Sequence, residues 1–246
     1  MLKAVTFDLW NTVIKEQAEN SIEEVVIARL EDILSRHGME RSRQDIIDAT
    51  IRCRDKVMAL QVHEGKEMPP EEQLTWIVNE LGIPLRDKLM AELYTAYTTA
   101  SLEQLPKPVL GIEQVLTQLK GQMNLALICN TGRTPGSTAR IILERLGLKP
   151  YFSHLIFSNE VGVAKPHPQI FLQALTALRV QPKEAVHIGD DPRTDVKGAK
   201  GVGMKAAWLA YGREPTGVEC DVIVNKWEDF LTWVKEQRNV KKTLEL

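Results

Sequence analysis

The chain has 246 residues, 43% of them hydrophobic, with 31 Lys plus Arg set against 33 Asp plus Glu. That length buries a full core without staples, and the charge balance excludes a strong electrostatic footprint for nucleic acid or an acidic membrane. Cys53, Cys129 and Cys220 form an odd set without a CxxC pair, and no apolar leader or bilayer-length run is present, so a reducing, cytoplasmic setting is expected without disulfide framework or structural zinc.

The first predicted element is a strand, Lys3 to Phe7, that ends on Asp8. Residues 16–105 then change texture to long amphipathic stretches rich in Glu, Arg, Leu and Ile, which predict a four-helix bundle. Ser21-Ile22-Glu23-Glu24 reads as a capping box opening a helix toward Arg36, stopped by His37-Gly38. Ser42 to Asp45 opens a second helix ending near Val62. A third spans about Glu71 to Leu81 after Pro69-Pro70, and a fourth runs from the Gly82-Ile83-Pro84 break to about Ala100.

After Pro106 and Pro108 the pattern becomes strand-then-helix. Strands are predicted at Asn124 to Ile128, His154 to Phe157, Ala185 to Ile188, Lys205 to Leu209 and Asp221 to Val224. Helices are predicted at Ser137 to Leu146, Pro168 to Leu178, Thr194 to Lys200 and Trp227 to Gln237. This alternation predicts an α/β core with a doubly wound parallel sheet, built from residues 1–15 and 106–246, and an inserted helical cap at 16–105.

Four chemistry-bearing segments lie at or just past predicted strand ends: Asp8-Leu9-Trp10-Asn11-Thr12, Cys129-Asn130-Thr131, Ala164-Lys165-Pro166, and Gly189-Asp190-Asp191 followed by Asp195. In a parallel sheet all carboxyl ends share one rim, so these distant segments can converge. A carboxylate that attacks phosphorus forms a covalent intermediate, but its charge repels an anionic phosphate. Magnesium held by carboxylates, together with a lysine, supplies the compensating charge, and Asp190 and Lys165 are the candidates.

In this order, and with helices inserted after the first, the four segments resemble the haloacid dehalogenase-like (HAD) hydrolase superfamily, in the subgroup with a helical cap after the first motif. The resemblance covers nearly the whole chain and implies a Rossmann-like core. It implies that Asp8 is the nucleophile, that Mg2+ binds Asp8, Asp190 and the Trp10 backbone carbonyl, and that Lys165 and Asp195 complete the catalytic set. Cys129, Asn130 and Thr131 would contact the substrate, with Asn130 donating to phosphoryl oxygens. The expected substrate is a small phosphorylated molecule, with no nucleic-acid or membrane partner and a monomer or homodimer as the assembly.

Two positions depart from the family pattern. Trp10 stands where the phosphatases carry the aspartate that protonates the leaving alcohol, and an indole transfers no proton at neutral pH. The same position is aromatic in the 2-haloacid dehalogenases, whose halide needs no proton, so a metal-independent dehalogenase is a rival reading, as is a catalytically impaired binding member. Retention of the acidic Gly189-Asp190 favours phosphate, because those dehalogenases resemble one another in lacking it. His63 and His167 are the alternative proton donors. The second departure is Cys129 in place of the usual Ser or Thr, a weak donor.

Overall fold

The computed structural model describes residues 1–17, 21–214, 217 and 219–239. Residues 18–20 of the predicted cap, and 215, 216, 218 and 240–246 of the predicted core, lie outside the described residues.

Strand β1, Ala4–Phe7, is buried along its whole length, as expected of a strand covered on both faces. It lies at the centre of a six-stranded sheet with β4 (Asn124–Cys129), β5 (His154–Phe157), β6 (Ala185–Gly189), β7 (Lys205–Leu209) and β8 (Val222–Val224). The order is β5-β4-β1-β6-β7-β8 and every pairing is parallel. The chain winds from β1 toward β4 and β5, then crosses to β6 and continues the other way. The winding therefore reverses beside β1, and such a switch point opens a crevice at the carboxyl ends of the strands. Register sets Phe7 opposite Leu127 on β4 and Ile188 on β6, so Asp8 emerges between the tips that carry Cys129 and Asp190.

Alternation along β1 decides which layer each residue joins. Val5 and Phe7 pack under α5 (Ile112–Leu119), α6 (Gly136–Arg145) and α10 (Trp227–Asn239). Ala4 faces α8 (Pro168–Leu178) and α9 (Lys197–Gly201) on the opposite side, where Ile170, Phe171 and Ala199 are buried. A single turn, α7 (Ser158–Val161), follows β5.

Between β1 and β4 along the chain come α1 (Ile22–Arg36), α2 (Arg43–Ala59), α3 (Pro70–Glu80) and α4 (Asp87–Thr99). Their apolar stripes close on one another in a separate cluster that includes Val26, Leu30, Ile46, Leu74 and Leu93. Ser42 caps α2, accepting the Asp45 N–H at 3.1 Å, and Pro70 occupies the first turn of α3, where its missing N–H is harmless. At α1 only half of the expected box is seen: Ser21 Oγ accepts from the Glu24 N–H. The chain enters and leaves the bundle through a two-stranded antiparallel ribbon, β2 (Ile14–Lys15) against β3 (Lys107–Pro108).

Several elements differ from expectation. The second helix stops at Ala59 and continues as a π-helical turn, Leu60–Glu64, before Gly65 at φ 64°. The predicted helix from Thr194 splits into a π-helical turn, Pro192–Val196, and then α9. Helix α5 was not expected, although Ile112, Val115, Leu116 and Leu119 are spaced for one buried face. Among the described residues no helix is long and apolar enough to cross a membrane.

Candidate active site

The loop after β1 curls sharply: Val13 and Ile14 both donate to the Leu9 carbonyl, and Asn11 takes φ 59°, a left-handed conformation asparagine tolerates. Asp8 is thereby left at the rim, its N–H bound to the Ile188 carbonyl at 2.9 Å. Lys165 arrives from the loop between α7 and α8 and is 1% exposed. Its ammonium donates to Asp8 Oδ1 at 2.6 Å, to Asp195 Oδ1 at 2.8 Å and to the Ile128 carbonyl at 2.8 Å, which uses all three of its protons.

Asp195 is the best-held carboxylate of the group. Oδ1 also lies 3.1 Å from His187 Nε2, and Oδ2 accepts the Asp191 N–H at 3.0 Å. It crosses so close over Gly189 that any Cβ there would collide with its carboxyl group, which accounts for glycine before Asp190. Asp190 stands on the solvent side, half-buried. Its backbone carbonyl accepts from Trp208 Nε1 and Arg213, and the Arg213 guanidinium is 4.0 Å from its Oδ2. One carboxylate oxygen from each of Asp8, Asp190 and Asp195 lies within 4.8 Å of the others. Asp191 turns away to cap the following turn and pair with Arg193.

Two carboxylates, Asp8 and Asp195, thus share one buried ammonium, a third, Asp190, stands beside them, and the electrostatics follow. Burial opposes the charge on Asp195, but Lys165 and His187 outweigh it and hold this carboxyl well below the usual range. Burial also opposes the charge on Lys165, yet Asp195 and Asp8 keep the ammonium far above its ordinary value. Asp8 is left short of compensation: burial, with Asp195 as a like charge, pushes it up to about 6 despite Lys165. Asp190 rises to about 7 through burial and the charges of Asp8 and Asp195. Burial pushes His187 below its ordinary value, although the neighbouring Asp195 carboxylate acts the other way.

The expected substrate contacts are placed at the rim, but their side chains are engaged within the protein. The Asn130 carboxamide clamps the Lys165 backbone, accepting its N–H at 2.7 Å and donating to its carbonyl at 3.0 Å, with a longer contact of 3.4 Å to Gln61. The residue thereby aligns the lysine, because an amide matches a backbone peptide in both donor and acceptor. Thr131 spends its N–H and hydroxyl on Ser158. Cys129 is buried, and burial pushes its thiol well above the ordinary value, so it packs as a small apolar group. Gln61, from the π-helical turn of the bundle, is a site neighbour that no motif announces. Its segment is pinned to the Lys165 loop by the Ala164 N–H bound to the Gly65 carbonyl at 2.9 Å.

A cavity of about 370 Å³ lies between the bundle and the rim, lined by Trp10, Val57, Gln61, Tyr97, Asn130 and Arg133 among others. Arg133 pairs with Glu23 of α1 at 2.6 Å across this boundary. Trp10 packs against both the core and bundle clusters. Of the two histidines considered as proton donors, His63 is exposed and His167 caps α8, accepting the Gln169 N–H at 3.2 Å.

Residues 2–203 match the haloacid dehalogenase-like hydrolase family. The chain belongs to that family. A relative named glyceraldehyde 3-phosphate phosphatase, from Pyrococcus furiosus, is 29% identical over 230 residues, 94% of this chain and 88% of the relative. A solved HAD phosphatase from Thermococcus onnurineus superposes with a TM-score of 0.66 at 21% identity, covering 95% of this chain and 98% of that one. A 2-haloacid dehalogenase from Pseudomonas syringae superposes with 0.70, also at 21% identity, covering 96% and 99%. At that identity both likenesses speak for the fold, an α/β sheet with a helical insertion, and leave the chemistry to the site.

The donor set of this HAD-like hydrolase fits a hard divalent cation. Three carboxylates outnumber Lys165 and the more distant Arg213, and Asp195 already takes three nitrogen donors, so Asp8 and Asp190 are the carboxylates most open to an ion. Magnesium at about 100 times its Kd should therefore stabilise the fold by about 2.7 kcal/mol at pH 8, a rise in Tm of roughly 5–10 °C over the protein in EDTA. At pH 5.5 the rise should shrink, because Asp8 at about 6 and Asp190 at about 7 hold protons that the ion must displace. Scanning calorimetry at the two pH values checks this, and equal melting curves with and without magnesium at pH 8 would reject the ion site.

Proposed function

We propose that this chain is a magnesium-dependent phosphatase acting on a small phosphomonoester through an aspartyl-phosphate on Asp8. The observation that carries the reading is a further carboxylate, Asp190, with an oxygen within 4.8 Å of those of Asp8 and Asp195, at a site already holding a buried lysine. A halide-releasing enzyme has no use for that added carboxylate, whose charge Arg213 at 4.0 Å offsets only in part. The phosphatase name of the Pyrococcus relative supports phosphate over halide.

Asp8, Asp190 and the Trp10 backbone carbonyl would hold Mg2+, which when bound supplies positive charge to the carboxylates and to the phosphoryl oxygens. The Asp8 oxygen not held by Lys165 attacks phosphorus as the bond to the leaving oxygen breaks. Water then attacks phosphorus, releases inorganic phosphate and restores the carboxylate. Lys165 keeps Asp8 aimed, Asp195 and Asn130 keep Lys165 in place, and the bundle, residues 16–105, acts as the cap that shields the intermediate and selects the alcohol through the cavity beside Trp10. Residues 1–15 and 106–246 form the catalytic core.

Trp10 leaves the departing oxygen without a proton donor, a loss of roughly two to four orders of magnitude for a poor leaving group. Rates on a series of aryl and alkyl phosphates should thus fall steeply as the leaving alcohol becomes less acidic. Trp10→Asp should flatten that dependence while destabilising the fold by about 1–3 kcal/mol, since the indole packs on both clusters. An unchanged slope in a folded Trp10→Asp enzyme would dismiss the proton-donor account. The function itself is tested by assaying phosphorylated metabolites and short 2-chloro acids with magnesium and with a chelator. Halide release that persists in chelator, with no phosphate released, would replace the phosphatase reading by the dehalogenase one.

A further inference from the structure

The proposed reaction engages Asp8, Lys165, Asp190 and Asp195 and leaves a buried titratable side chain unassigned. His187 lies on β6, fully buried, with Thr6 of β1 as its register partner. Thr6 Oγ1 is 2.9 Å from His187 Nδ1, while its other neighbour, the Val186 carbonyl, is at 3.4 Å. On the far side of the ring, Nε2 is 3.1 Å from Asp195 Oδ1, the oxygen that also receives Lys165 Nζ at 2.8 Å. The Phe171 ring meets the imidazole edge-on, with centroids 5.2 Å apart and planes at 90°, which fixes the ring plane.

Donor and acceptor roles follow by elimination. An ionised carboxylate only accepts, so Nε2 carries the proton; a neutral ring then has Nδ1 free to accept, and the Thr6 hydroxyl donates to it. The result is an unbroken chain from Thr6 of β1 through His187, Asp195 and Lys165 to Asp8, the residue just past the end of that strand. We propose that His187 is a positioning residue, whose Nε2–H fixes the Asp195 carboxylate that in turn holds the Lys165 ammonium against Asp8. Without that donor, Asp195 Oδ1 is free to follow the lysine, and the lysine is no longer tied to one place beside the nucleophile. The inference rests on the phosphatase reading for its kinetic consequence and on geometry alone for its hydrogen bonds.

Two substitutions separate positioning from packing. A glutamine amide reaches the level of Nε2 and can still donate to Asp195, whereas an asparagine amide reaches only the level of Nδ1. With magnesium and an aryl phosphate, His187→Asn should lower kcat roughly 10- to 100-fold with little change in KM, and His187→Gln should restore most of it. Nitrogen-15 NMR of the magnesium-loaded wild type should show His187 as the Nε2–H tautomer. The opposite tautomer, wild-type kcat in folded His187→Asn, or equal losses in the two variants would overturn the proposal. If the wild type hydrolyses no phosphate ester, the functional reading fails by itself, and the tautomer still decides whether His187 donates to Asp195.

Discussion

Asp8→Asn is expected to reduce magnesium-dependent hydrolysis of an aryl phosphate by on the order of 10⁴-fold or more while making the metal-free protein slightly more stable at pH 8. The kinetic loss follows from chemistry, because an amide oxygen is too weak a nucleophile to open a phosphomonoester. The stability gain follows from the sign of the shift on Asp8. Its folded value is raised to about 6, so between about pH 4 and pH 6 the folded protein binds a proton more tightly than the unfolded chain does. Stability is therefore lost as pH rises through that window, by an amount on the order of 3 kcal/mol at 1.36 kcal/mol per unit. Asn carries no charge to bury and should recover about 1–3 kcal/mol at pH 8. Below about pH 4, where Asp8 is protonated in the folded and the unfolded chain alike, the two proteins should melt close together. Full retention of activity in Asp8→Asn would remove the nucleophile from the scheme, and a large drop in Tm would show that the carboxylate is a structural anchor.

This opposition between activity and stability also indicates why the site was legible in the sequence while some of the fold was not. Asp8, Lys165, Asp190 and Asp195 are charged residues at strand ends, where an α/β sheet gathers its ligands, and nothing local explains charges in such apolar surroundings. The strands themselves are short apolar runs bounded by Gly, Pro and Asn, and their positions agree with the structure to within a residue or two. Helix α5 follows Pro108 and Gly111 and is only eight residues long, so the spacing of Ile112, Val115, Leu116 and Leu119 is a weak signal beside the punctuation before it. The ribbon of Ile14–Lys15 with Lys107–Pro108 offers two residues a side, too few for any alternation to show. Asn130 illustrates a different limit. Its place after β4 marks it as a site residue, but whether its amide faces a ligand or the Lys165 backbone depends on how a loop 35 residues later folds beneath it. Gln61 lies in a helical stretch with no distinguishing pattern, and only the docking of the bundle brings it to Asn130.

Replacement of Lys165 tests the electrostatic core of the site most severely. Lys165→Met preserves length and apolar stem while removing the charge, so packing is largely spared. Asp8 and Asp195 are then left buried without their shared ammonium, and breaking a buried ion pair by deleting one partner costs about 3–5 kcal/mol. The pH dependence identifies the cause. In the wild type, Asp195 is depressed by Lys165 and His187, so it favours the fold above its unfolded value near pH 4, and this contribution fades only as pH falls below that. Lys165, raised above its ordinary value, favours the fold throughout the range below about pH 10. Without the lysine both carboxylates shift upward, the folded variant holds protons that the unfolded chain releases, and its stability declines as pH rises from about 4 to 8. Urea melts should accordingly show a modest deficit at pH 4.5 that widens to about 3–5 kcal/mol at pH 8. Magnesium should return part of the stability at pH 8, since a cation near Asp8 relieves the same excess charge, but not the activity, because an ion placed by Asp8 and Asp190 does not replace a donor that reaches Asp8, Asp195 and the Ile128 carbonyl together. A deficit that stays constant across pH would mean that the lysine acts through its packed stem, and the account of Asp8 and Asp195 sharing one ammonium would have to be abandoned.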